Sequence, residues 1–185
     1  MDVMGNYVDE EGNSLDKWGR IVDTQEYFMS NGKVTVDAQR EEEYTQMLGR
    51  RIVEEFHKIN RVFSSHLVAF VAFELIQAKN SKLDLFDLIR LPQEDLVLDY
   101  QEFKSACQRV MHQILELKNQ GKIDIAPHLS RSMDVIIAHG LENVGMYHAK
   151  RPLIQSPTGD LATEDMSLLY FYHNRLHGYG LEKLF

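Results

Sequence analysis

The chain carries eight histidines and one cysteine, side chains that commonly serve as bases, nucleophiles and metal ligands. His173-Asn174-Arg175-Leu176-His177 places two imidazoles at i and i+4, on one helix face, a spacing that can grip zinc. The glutamate of H-E-x-x-H is missing, and Arg175 would repel a cation. A third ligand would have to come from His148 or Asp165, and no motif recommends either. No metal or other cofactor is therefore expected. Cys107 falls in the middle of a helical pattern among apolar neighbours, where a thiol stays protonated and inert. There is no G-x-S-x-G elbow and no Walker sequence. Gly178-Tyr179-Gly180 lacks the third glycine and the following helix of a dinucleotide fingerprint. The carboxylates of Glu54-Glu55, Glu94-Asp95 and Glu164-Asp165 are sequence neighbours, and neighbours on a helix do not face each other. They are expected on solvated faces and caps, and no catalytic residue follows from any of these groups.

Asn174 and Arg175 are the polar residues of most interest, because Leu168-Leu169-Tyr170-Phe171-Tyr172-His173-Asn174-Arg175-Leu176 is otherwise an apolar, aromatic helix. A buried amide costs about 1–3 kcal/mol unless it is paired, so Asn174 is expected to tie its helix to a neighbouring loop. Arg175 could receive a carboxylate or phosphate. With His177 just beyond, these are the candidate binding residues.

The elements that must position them read as mainly α. A multi-helix domain, residues 37–185, carries a small C-terminal β-hairpin and follows an extended N-terminal segment, residues 1–36. In that segment Tyr7–Ser14 and Trp18–Asp23 read as short extended pieces around glycine-bearing turns. Asp37 is expected to cap the first helix, with Glu41, Glu42 and Glu43 near the positive end of its dipole. Tyr44, Met47, Leu48, Ile52, Val53 and Phe56 recur at three and four, which predicts one buried stripe. Ser64-Ser65 should cap a second helix, apolar almost all round from Leu67 to Ile76 and so the most buried. A short helix at Leu83–Leu91 ends before Pro92. A longer one from about Asp99 to Lys118 turns Phe103, Ala106, Cys107, Val110, Met111, Ile114, Leu115 and Leu117 inward. Ser130–Asn143 reads as helix with Val135, Ile136, Ile137, Leu141 and Val144 apolar. Tyr147–Gln155 and Asp160–Ala162 form a hairpin about the turn Ser156-Pro157-Thr158-Gly159. A final helix from Thr163 carries Met166, Leu168, Leu169, Phe171, Tyr172 and Leu176. Helices followed by a two-stranded wing are also the order of a winged helix, which by itself implies no DNA binding.

Bulk composition narrows the function classes. Hydrophobic residues make up 44% of 185, enough to close a core. No apolar run approaches the ~20 residues of a membrane span. The start, Met1-Asp2-Val3-Met4-Gly5-Asn6, has no basic region before an apolar one and is no secretory signal. The single cysteine precludes an internal disulfide and fits a reducing compartment. Net charge is −8 and the basic pairs Arg50-Arg51 and Lys150-Arg151 are isolated, which disfavours nucleic acid and adhesion to anionic lipid by charge alone.

Two segments resemble the C-terminal domain of the bacterial glycerol-3-phosphate acyltransferases, a family with mitochondrial relatives. Ile59-Asn60-Arg61-Val62-Phe63-Ser64-Ser65-His66-Leu67-Val68-Ala69-Phe70-Val71-Ala72-Phe73-Glu74-Leu75-Ile76 is similar to the family helix that opens with an Asn before a small-residue cap and a Leu-Val-Ala run. Leu168 to Leu176 is similar to the family's Leu-Leu-x-Tyr-Tyr-x-Asn stretch, with Tyr172 and Asn174 at matching places and His177 beyond. Between them, Gly140 to Asp165 looks like its helix, glycine-turn hairpin and acidic cap. The likeness covers residues 37–177, and the order and spacing of the segments carry more of it than single positions.

The resemblance implies a parent enzyme that moves an acyl group from acyl carrier protein or coenzyme A to the 1-hydroxyl of glycerol 3-phosphate. It implies a general-base histidine oriented by an aspartate in H-x-x-x-x-D. None of the eight histidines has an Asp at i+5; His128 misses, with Asp134 at i+6. The chain is thus expected to lack catalytic residues and to begin downstream of the catalytic domain. It would be an accessory domain that packs on that domain and helps hold it at the inner membrane face, cytoplasmic and peripheral through the parent. Residues 1–36 would link to the catalytic domain, and they and one side of the second helix should expose apolar surface to it. The alternatives are a free-standing helical or winged-helix interaction module and a small histidine-metal protein.

Overall fold

The structure is a computed structural model and describes residues 7–11, 13–15, 19–21, 29–30, 33–34, 38–157 and 159–185. It divides into two compact units, Met1–His57 and Lys58–Phe185. In the first, β1 (Tyr7–Val8) pairs antiparallel with β2 (Ser14–Leu15), Tyr7 opposite Leu15. Asp9 closes the turn: its Oδ1 accepts from the N–H of Glu11 (3.1 Å) and Asn13 (2.7 Å), the local side-chain bonding that makes Asp a turn former. A second pair, β3 (Met29–Ser30) and β4 (Lys33–Val34), is also antiparallel. Among the described residues of the segment read as extended, these short pairs are present; Trp18 and the expected cap Asp37 lie outside the described residues.

Helix α1 runs Ala38–Ile59. Its apolar stripe is not buried as expected: Leu48, Ile52 and Val53 are 55%, 60% and 53% exposed. Periodicity tells which face of a helix would be covered, and a partner must still be there to cover it. Met47 and Phe56 are half-buried.

The second unit is built round α2 (Ser64–Lys79), on which every residue from Leu67 to Ile76 is buried. A helix apolar on all sides must be enclosed on all sides, and α4 (Tyr100–Asn119), α5 (Met133–Asn143) and α6 (Met166–His173) all pack against it. The expectation that one side of this helix would expose apolar surface is therefore overturned. The cap also differs: the N-cap residue is Phe63, and Ser64 is already helical. Lacking a hydroxyl there, the helix start takes its acceptors from imidazoles, His66 of the helix itself and His128 from another segment.

The other helices lie near their predicted places, α6 ending at His173, short of the expected Leu176. Asp84 caps α3 (Leu85–Ile89) by accepting from the Asp87 N–H, Asp99 caps α4 through Glu102, and Asp165 caps α6 through Leu168. Leu115, expected inward, is 40% exposed, and two other apolar residues of these helices, Val135 and Phe171, are 42% and 57% exposed. Each is next in sequence to a residue turned inward or half-buried, roughly 100° round the helix. The hairpin is present as β8 (Ile154–Gln155) and β9 (Leu161–Ala162). It gains a third strand, β6 (Val97–Leu98), so the sheet order is β6–β9–β8. A parallel pair, β5 (Arg61–Val62) with β7 (Asp124–Ile125), anchors the start of α2 to the end of α4, and an Arg61–Asp124 ion pair at 2.6 Å spans it. Two-residue strands have too few side chains to show alternation, which hid both pairings in the sequence.

Helix α5 crosses α2 at Gly140, where an added Cβ would meet Val68 Cγ1 at 2.6 Å and the Ser64 carbonyl oxygen at 2.7 Å. Gly140→Ala should destabilise the protein by about 1–3 kcal/mol through overpacking, measured by urea unfolding. Gly49→Ala, on α1 with nothing within 4 Å, should leave stability unchanged or raise it by up to about 1 kcal/mol.

Candidate functional site

Two polar clusters stand out on α2. One is deep in the core, where an acid on an otherwise apolar stretch needs a partner. Glu74 Oε1 lies 2.7 Å from His173 Nε2, with side chains 7% and 3% exposed. The imidazole lies in an aromatic enclosure: Phe70 is stacked parallel at 5.0 Å between centroids, Phe73 sits at 4.4 Å and Tyr170 at 5.7 Å. Its Nδ1 has no hydrogen-bond partner among the described residues. A carboxylate-oriented imidazole therefore exists, a correction to the reading that no histidine had one. The partners are 99 residues apart, beyond any i+5 test. Sealed from solvent, the pair cannot reach a substrate in this state and acts as a bolt between α2 and α6.

The second cluster surrounds the start of α2. Phe63 N–H donates to His66 Nδ1 (3.4 Å) and Ser64 N–H to His128 Nε2 (3.3 Å). Both rings thus accept from the backbone at the helix start, and each carries its proton on the other nitrogen. Ser64 Oγ lies 2.7 Å from His139 Nδ1, and the His128 and His139 rings are 4.5 Å apart. These are the atoms of a nucleophile–base pair, but Ser64 is 1% exposed; its hydroxyl ties α2 to α5. Burial, with the Arg175 charge second, pushes His66 down to about 4. Burial, then His139 and Arg131, lowers His128. Asn60, 6% exposed, donates from Nδ2 to the Arg175 carbonyl (2.7 Å) and to Tyr179 Oη (3.3 Å).

The residues singled out from sequence fall round this corner with changed roles. Asn174 is the exposed C-cap of α6 and not a buried tie; the buried amide doing that work is Asn60. Arg175 is exposed at its side chain and held at its carbonyl. His177 lies past the end of α6, exposed, with Nδ1 3.2 Å from Glu182 Oε1. The helix stops at His173, so the i, i+4 imidazoles do not share a helix face. His148 packs edge-on against Tyr172 and Asp165 is spent on its cap. No group of three metal-ligating side chains occurs among the described residues. Cys107 is buried, and burial pushes its thiol up, which keeps it protonated. Asn60, Glu74 and His139 were missed as site residues, because a polar residue within or flanking an apolar run becomes informative only once its partner is known.

Compared with protein-family models, curated proteins and solved structures, the chain matches none. Among the described residues no helix is long and apolar enough to cross a membrane.

Removing one member of the core pair leaves the other buried and unpaired, so Glu74→Ala and His173→Ala should each cost roughly 3 kcal/mol or more. Glu74→Leu combined with His173→Phe should recover most of that loss; a double-mutant cycle in urea unfolding reads the difference. His66 also makes stability depend on pH. Its folded pKa lies below the unfolded value, so its contribution is present above pH ~6.5 and is lost as pH falls towards ~4. Unfolding free energies across that window should fall more steeply for the native chain than for His66→Gln.

Proposed function

We propose that this chain is a non-catalytic, accessory C-terminal domain of an acyltransferase of phospholipid synthesis, one that transfers acyl groups from acyl carrier protein or coenzyme A to glycerol 3-phosphate. The main support is spatial. The two segments that resemble that family, far apart in sequence, lie side by side as α2 and α6 and are bolted by Glu74–His173 and Asn60–Arg175. What is alike in them is thus a folding unit and not a set of exposed reactive groups. The sealed dyad and the buried Ser64 agree with a scaffold role. The exposed apolar residues of α1 are the kind of surface that a larger protein covers.

Under this reading the purified chain does not acylate glycerol 3-phosphate by itself, and it binds the separately produced catalytic domain of a family enzyme. Isothermal titration calorimetry with that domain should give saturable binding, weakened by Ile52→Asp. Acyl transfer by the isolated chain, free of contaminating enzyme, would overturn the reading, as would absence of binding.

A second reading, a free-standing winged-helix interaction module, draws on the sheet order β6–β9–β8 and on α4 and α5 lying between β6 and β8. It implies a partner other than an acyltransferase. A chain that remains monomeric and shows no affinity for the catalytic domain would favour it.

A further inference from the structure

The three-stranded sheet β6–β9–β8 carries two rows of side chains. Val97 and Ile154 both lie opposite Ala162, and Leu98 and Gln155 both lie opposite Leu161. Residues directly opposite in an antiparallel pair point to the same side. Leu98 and Leu161 are fully buried and mark the inner face. The other row, Val97–Ala162–Ile154, is wholly apolar and faces outward: Val97 is 46% exposed and the other two are half-buried. Carboxylates stand at both ends of the strands that carry it. Because β9 runs antiparallel to β6, Glu94 and Asp95 before β6 share one end with Glu164 after β9. Asp99 after β6 shares the other end with Asp160 before β9. Asp99 and Glu164 accept from backbone N–H groups, of Glu102 (2.7 Å) and Arg151 (3.1 Å), bonds that leave their charge in place. We propose that this face docks a basic amphipathic helix of a partner protein, its apolar stripe laid along Val97–Ala162–Ile154 and its lysines or arginines on both flanks.

Charge and shape select this occupant. An apolar row with acids on either side, in a chain of net charge −8, is complementary to an apolar ridge with cations on either side. It repels nucleic acid and anionic lipid. The row crosses two strand spacings, ~10 Å, which is the rise of about seven helical residues. Apolar side chains at i, i+4 and i+7 of a helix therefore match it. A strand laid there would not, because its side chains alternate between two faces and send none to the flanks. Lys150 and Arg151 lead into β8, at the edge of the sheet opposite β6. They set the C-terminus of the docked helix over β8 and its N-terminus over the acids beside β6, as the helix dipole favours. The proposal uses no residue of α1 and does not rest on the acyltransferase reading; either can fail alone.

The test uses the full chain and a synthetic helical peptide of about 18 residues, leucine along one stripe and lysine elsewhere. A leucine–glutamate peptide of the same pattern serves for comparison, and backbone amide shifts are followed by NMR. Expected are saturable shifts from the lysine peptide, centred on β6, β9 and β8 and weakened by added salt, and none from the glutamate peptide. Val97→Lys and Asp95→Lys should each weaken binding roughly fivefold or more with unchanged thermal midpoints. Asp95 is exposed and outside the strands, so its variant serves if Val97→Lys does not fold. Glu116→Lys, near the far end of α4 from β6, makes the same change of charge as Asp95→Lys and should bind like the native chain. No binding, shifts centred elsewhere, equal binding of the two peptides, or an equal loss in Glu116→Lys overturns the proposal. So does a dimer of the chain, seen by analytical ultracentrifugation, that Val97→Lys dissolves, since a second copy would then be the occupant.

Discussion

A helix that is apolar on every side can exist in water only if other elements enclose it completely, and α2 imposes that condition on the second unit. Leu67 through Ile76 are all buried, which at ~25 cal/mol per Å² of apolar surface is a leading favourable term in the unit. The one acid in that run sharpens the constraint. Glu74 cannot be enclosed unpaired without a cost of several kcal/mol, so α6 must present His173 at one height and one rotation. Hydrophobic burial brings α4, α5 and α6 to α2, and the single buried pair selects how α6 sits.

The start of α2 obeys a related rule. A helix leaves its first N–H groups without intrahelical partners, and Phe63 as N-cap has no side-chain acceptor. Imidazoles from the helix itself and from the turn Pro127–Ser130 supply the acceptors. A histidine serves this way only while neutral, and burial keeps it so. The His128 contact binds the turn Pro127–Ser130 to the start of α2 and Asn60 binds the loop after α6 beside it, alongside the short parallel pair β5–β7. Stability of this corner is therefore tied to protonation, whereas the far end of α2 depends on packing.

The polar side chains best placed for chemistry are spent on architecture: Ser64 on His139, Glu74 on His173, Asp165 on the α6 cap. The apolar side chains of α1 show the reverse, since Leu48, Ile52 and Val53 fit a buried face and are exposed. Exposed apolar residues on one helix are the kind of surface that a larger protein covers, in line with the accessory role proposed above.

By itself the sequence determined the number, order and approximate limits of the helices, because apolar spacing and stops such as Pro92 act within a few residues of where they stand. It also determined that α2 is central, since no other segment is apolar all round, and that Cys107 is inert core. Tertiary structure alone decided the polar pairings. Glu74 with His173, Asn60 with Arg175, Ser64 with His139 and β5 with β7 join residues separated by 99, 115, 75 and 63 positions, and no periodicity encodes which distant groups will meet. It decided too that Asn174 faces water and that Leu48, Ile52 and Val53 of α1 are exposed. Burial is a property of what packs against a residue, and local sequence describes only the residue.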